Sequence, residues 1–161
     1  MMDGEEEVIF FMCRLCYFDI SEKYINVLNY CMKYSDSFSV ITILKKPYSK
    51  NPPICEHDKV LTEWNSCLLK QIIGIKKWAG TVTKDNHKVM NIYNSRKFRK
   101  EFLEIPNFFS PIENRLPEDI CFYRNSEVWF ATISHEKIAF MSNATKDDKI
   151  FLQKHGIRFY E

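Results

Sequence analysis

Apolar residues recur along the chain at two periods, and the period switches several times. Val8 to Tyr17 is an apolar, β-rich run and predicts a strand. Ser21 then offers a hydroxyl suited to a helix N-cap. Beyond it, Tyr24, Leu28, Cys31 and Met32 return at helical spacing, which predicts a helix over Glu22 to Tyr34 with one buried stripe. Phe38 to Leu44 is β-branched and almost wholly apolar, the pattern of a central strand buried on both faces. The three prolines of Lys45 to Pro53 make that segment a loop. Val60, Trp64, Leu68 and Ile72 recur every fourth residue, with Leu61 and Cys67 widening the stripe. They predict the longest helix, Glu56 to Ile73, which ends before Trp78-Ala79-Gly80-Thr81.

Val82-Thr83 and Val89 to Tyr93 predict a hairpin around Lys84-Asp85-Asn86-His87. A short basic helix is expected over Arg96 to Ile105, followed by a stretch punctuated by Pro106, Pro111 and Pro117. The clearest signal comes next. Cys121 to Arg124 and Glu127 to His135 flank a tight turn at Asn125-Ser126, and Ile138 to Met141 returns as a third strand. Alternation along the middle strand puts Trp129, Ala131 and Ile133 on one face. Asn143 or Thr145 can cap a final helix, whose first turn holds Asp147 and Asp148 to suit the dipole. Gly156 ends it, and Ile157 to Tyr160 adds an edge strand. The class expected is α+β: a single domain over residues 1–161, a mostly antiparallel sheet with a C-terminal meander, and three to four helices packed on it.

Composition changes this picture little. The 161 residues are 45% hydrophobic, 15% aromatic and 27% charged, values of an ordinary globular domain. A formal charge of +2 gives no push toward duplex nucleic acid. No apolar run reaches membrane-span length, and the acidic start Asp3 to Glu7 does not resemble a secretory n-region, so a cytoplasmic protein without a membrane is expected.

Candidate chemistry is sparse. HExxH, P-loop, GxGxxG and GxSxG are absent from the sequence. Cys13 and Cys16 have CxxC spacing, and Cys55 with His57 would be an untidy second half of a zinc site. Residues i and i+3 of a strand face opposite ways, so packed reduced thiols are expected, with no metal and no cofactor. His135-Glu136 is the most noticeable polar pair and could serve as an acid–base dyad, although a surface turn explains it as well. The basic cluster Arg96 to Lys100 is diluted by Glu101 and Glu104, so nucleic acid is not the expected partner.

Leu116-Pro117-Glu118-Asp119, Cys121-Phe122, Trp129, Thr132-Ile133 and His135-Glu136 form a pattern that resembles small bacterial proteins grouped under the label stage III sporulation protein AH. Trp78-Ala79-Gly80-Thr81 is similar to a W-P-G-T element upstream in that pattern, with Ala79 in place of proline. The resemblance covers roughly half of the chain and is specific over 116–140. It implies a compact α+β domain of bacterial or phage type and assigns no catalytic role.

Three functions of different class are therefore weighed. The first is a non-enzymatic protein-interaction module of inhibitor, immunity or anti-defence type. It expects several of Tyr48, Trp78, Tyr93, Phe108, Phe109 and Trp129 exposed in one patch. The second is a binder of a small molecule or a nucleotide-like signal, with Arg124, His135 and Glu136 converging on an apolar pocket. The third is an enzyme using His135 with Glu136, or a cysteine with a histidine. The binding residues expected are Trp78, Arg124, Trp129, His135 and Glu136. A protein is the leading partner and a small molecule the alternative.

Overall fold

The computed structural model describes residues 12–15, 21–43, 62–84, 86–98, 108 and 117–161. Strand β1 is Met12–Leu15, helix α1 is Ser21–Tyr34, and strand β2 is Ser37–Ile43. Strands β3 (Leu68–Ile73), β4 (Lys77–Trp78), β5 (Thr81–Val82) and β6 (Lys88–Asn94) follow. The last part holds β7 (Glu118–Arg124), β8 (Glu127–Ile133), β9 (Ile138–Ser142), helix α2 (Lys146–Lys154) and β10 (Phe159–Tyr160). Eight strands form one antiparallel sheet in the order β10-β1-β9-β8-β7-β2-β6-β3, while β4 and β5 make a separate ribbon. The fold is α+β.

Helices α1 and α2 pack on one face of this sheet. Val27, Leu28, Cys31 and Met32 of α1 and Leu152 of α2 share a buried cluster with Phe38, Val40, Phe122, Phe130 and Met141. Aromatic edges fill much of the space: Phe38 contacts Trp64, Tyr93, Phe98 and Phe122, with ring centroids 5.0–6.0 Å apart. The opposite face carries a smaller cluster of Cys121, Ala131, Ile133 and Phe140, with Ala79, Tyr123, Val128 and Ile138 against it.

The meander forms with the expected strand order, although its middle strand stops at Ile133 and Ser134–Glu136 is a 3-10 turn. Asn125 and Ser126 both take positive φ, 51° and 65°, the backbone of a type I′ hairpin turn. Thr145 caps α2 in a capping box with Asp148, and Gly156, at φ +67°, terminates it. The central strand lies between β7 and β6, as its apolar run predicts.

Three expectations are corrected. The long helix over 56–73 does not extend to Ile73: residues 62–64 are helical, Asn65–Cys67 is a 3-10 turn, and Leu68–Ile73 is an edge strand paired with β6. The i, i+4 spacing of Leu68 and Ile72 suits either state, and ladder bonds to β6 settle it. Second, Val82 does not pair with Val89. β5 pairs with β4, and this ribbon is an excursion between β3 and β6. Third, Trp129 does not share a face with Ala131 and Ile133. Phe122 faces Phe130 while Tyr123 faces Val128, so Trp129 is an extra residue in a bulge and joins Phe130 on the helix side. The basic helix expected over 96–105 lies mostly outside the described residues; residues 95–97 are a turn.

Candidate functional site

Two bulges make the local geometry of the polar groups. Opposite Val40, β7 has two residues, Asp119 and Ile120, because Ser39 pairs with Cys121 and Ile41 with Glu118. Asp119 takes φ +52°, a conformation Asp tolerates better than most side chains. Its carboxylate is buried and bridges two other segments. Oδ2 accepts from Trp78 Nε1 at 2.8 Å, and Oδ1 accepts from the Ser134 backbone N–H at 2.8 Å. The Asp119 N–H in turn donates to Ser134 Oγ at 3.0 Å, and Ser134 Oγ donates to the Phe108 carbonyl. Asp119 therefore ties the β4–β5 ribbon and the turn after β8 to the end of β7.

Held this way, the ribbon tip lies against the face of the meander opposite α1 and α2. Gly80 has φ +74°, and a Cβ there would stand 2.6 Å from Ile133 Cδ1. Only glycine permits this approach. Between the tip and the sheet lies a cleft of about 760 Å³. Its floor and walls are Ala79, Gly80, Val128, Ile133, Ile138 and Phe140, and Arg14, Glu127, Ser142 and Asn143 supply the polar lining. Arg14 is exposed, with its guanidinium carbon 5.8 Å from the Tyr160 ring centroid. A cleft of this size and character suits a small amphipathic molecule.

A second polar cluster lies on the helix side and is structural. Asp148 on α2 is fully buried and receives five donors. Arg124 reaches both its oxygens at 3.0 Å, Tyr30 Oη donates to Oδ1 at 2.7 Å, and Trp129 Nε1 and the Thr145 N–H donate to Oδ2 at 3.2 and 2.9 Å. Arg124 also stacks 3.3 Å from the Trp129 ring centroid. Burial by itself raises the Asp148 carboxyl, but the hydrogen bonds from Arg124, Thr145 and Tyr30 outweigh it and hold the group below its ordinary value. The cluster joins α1, α2 and the β7–β8 hairpin, and its donors are used within the fold, on Asp148 and, from Arg124 Nε, on the Tyr34 carbonyl at 3.1 Å.

The five binding residues expected from sequence thus separate. Trp78 is half-buried and anchors the ribbon beside the cleft. Arg124 and Trp129 belong to the Asp148 cluster, and Trp129 is 2% exposed, so it is a core residue and not a surface contact. His135 and Glu136 lie on the turn after β8, 3.7 Å apart and each about half exposed. Arg124 is at the far end of β8 from them, so the three do not converge on one pocket. Of the rings expected in one exposed patch, Tyr93, Phe108 and Trp129 are 1%, 0% and 2% exposed, because the core needs them, while Trp78 is half-buried. Tyr48 and Phe109 lie outside the described residues.

Cys31, Cys67 and Cys121 are buried thiols. Burial pushes Cys31 well up and Cys121 to about 12, so neither supplies a thiolate at neutral pH. The side chains of Cys13, Cys16, Cys55 and His57 lie outside the described residues. Among the described residues no group of three or more His, Cys, Asp or Glu could hold a metal ion. In the basic cluster, Arg96 pairs with Asp36, and Phe98 is buried, so it presents no ring for base stacking. No helix among the described residues is long and apolar enough to cross a membrane.

Sequence reasoning missed the cleft and both carboxylates that organise the polar groups. Asp119 was visible only as the last letter of Leu116-Pro117-Glu118-Asp119, and Asp148 only as a helix-dipole residue. Comparison with protein-family models, with curated proteins and with solved structures finds no match.

Proposed function

We propose that the protein is a non-enzymatic binding module that holds an amphipathic small molecule in the cleft between the β4–β5 ribbon and the meander. The carrying observation is the cleft itself, about 760 Å³ with an apolar floor and a charged rim. The apolar body of the ligand lies along Val128, Ile133, Ile138 and Phe140. Its anionic group faces Arg14, whose exposed guanidinium makes no carboxylate contact among the described residues. Burial of apolar surface supplies most of the affinity, and the cation sets which end of the ligand points outward.

The test is a thermal-shift and calorimetric series with decanoate, decanol and decyltrimethylammonium. A ligand at 100 times its Kd adds about 2.7 kcal/mol. For a chain of this length that is a rise in Tm of roughly 5–10 °C. Decanoate should give the largest shift, Arg14→Ala should remove its advantage over decanol, and Ile138→Glu should abolish binding of all three. Absence of any shift, or a preference for the cationic amphiphile, would refute the reading.

A further inference from the structure

One edge of the main sheet is β3, and the opposite edge is the two-residue β10. Nothing among the described residues pairs with the outer side of β3, and its residues are open on both faces. Leu69 and Ile73 are 59% and 62% exposed, and Val82 on the adjoining ribbon is 75% exposed. Proteins usually blunt such an edge, because its unpaired N–H and C=O groups accept a further strand. The charge here is one-sided. From Leu68 to Lys84 the sequence has four lysines, Lys70, Lys76, Lys77 and Lys84, and no aspartate or glutamate. All four are exposed. Thr83 N–H donates to the Lys76 carbonyl at 2.8 Å, which brings Lys84 beside Lys76 at the end of the strand.

We infer that β3 is a strand-addition site for an extended, acidic segment of a partner protein, with alternate apolar residues covering Leu69 and Ile73. Main-chain bonds along the edge supply the affinity, and the lysines select the acidic sequence. The same lysines disfavour a second copy of this chain, since self-pairing sets two basic edges against each other. The register shift between Leu68 and Lys70 adds a bulge, a further obstacle to flat self-association. This inference does not depend on the cleft.

The probe is a labelled peptide alternating glutamate with valine and isoleucine. Its comparators are the lysine analogue and a version N-methylated at alternate amides. Fluorescence anisotropy measures binding, and hydrogen exchange of residues 68–73 in the full chain locates it. The acidic peptide should bind and slow exchange across β3, while neither comparator should. The variant K70E/K76E/K77E, at exposed positions where the fold tolerates charge reversal, should weaken the acidic peptide about tenfold and favour the lysine analogue. Far-ultraviolet circular dichroism verifies that the variant is folded. Unchanged exchange in β3, equal binding of the N-methylated peptide, or a concentration-dependent dimer with β3 protected would overturn the proposal. Decanoate binding is unaffected by any of these outcomes, so the two proposals fail separately.

Discussion

Asp148→Ala is the most informative single perturbation. The carboxylate is fully buried and accepts from Arg124, Tyr30, Trp129 and the Thr145 N–H, so its removal orphans donors on four separate segments. Removing one partner of a buried ion pair costs about 3–5 kcal/mol. Arg124 keeps 25% of its side chain in solvent, which favours the lower end. We expect a loss of about 3 kcal/mol, or roughly 6–12 °C in Tm for a chain of this length. Urea unfolding at pH 7 measures it. Asp147→Ala is the control, since Asp147 is exposed in the same helical turn and should cost only about 0.3–1 kcal/mol. The pH dependence has a definite sign. The folded Asp148 carboxyl lies below its ordinary value of 3.8, so its contribution is complete above that pH and fades as the pH falls through the folded value. The wild type should therefore lose stability steeply below about pH 4, and Asp148→Ala less steeply. A loss under about 1 kcal/mol, or equal costs at Asp147 and Asp148, would show that the network does not hold the helices to the hairpin.

Three further outcomes follow from single positions. Ser126→Gly removes a left-handed non-glycine residue from the β7–β8 turn and should raise stability by about 0.5–1 kcal/mol in urea unfolding. Gly80→Ala meets both a positive φ and Ile133 Cδ1 at 2.6 Å, so it should cost about 1–3 kcal/mol and lower decanoate affinity together. Cys121 should resist alkylation in the native protein at pH 8 and react only on unfolding, read by peptide mass spectrometry, because burial raises its thiol to about 12.

Much of the architecture follows from local sequence. Asn125-Ser126 between two β-rich runs dictates a hairpin, and a capping residue, Asn143 or Thr145, ahead of the acidic pair Asp147-Asp148 dictates a helix start, with the structure choosing Thr145 as the cap. The stripe of Tyr24, Leu28, Cys31 and Met32 dictates which side of α1 is buried, since helical period alone fixes a face. The apolar run at 38–43 requires a central strand because no edge position could cover it. These features depend on neighbours within a turn or two of chain.

What lay beyond reach depends on partners distant in sequence. Leu68 and Ile72 fit a helix stripe as well as a strand, and only pairing with β6 decides between them. One extra residue at Trp129 moves that ring from the expected face to the helix side, and a bulge leaves no mark in apolar alternation. Asp147 and Asp148 are adjacent letters in one helical turn, yet only Asp148 meets Arg124, which is 24 residues away. The cleft arises the same way: Gly80 and Ile133 meet because Asp119 clamps Trp78, and no local pattern encodes that meeting. Sequence sets the period and polarity of each segment, whereas tertiary packing chooses which faces meet, because that choice minimises buried unpaired polar groups over the whole chain.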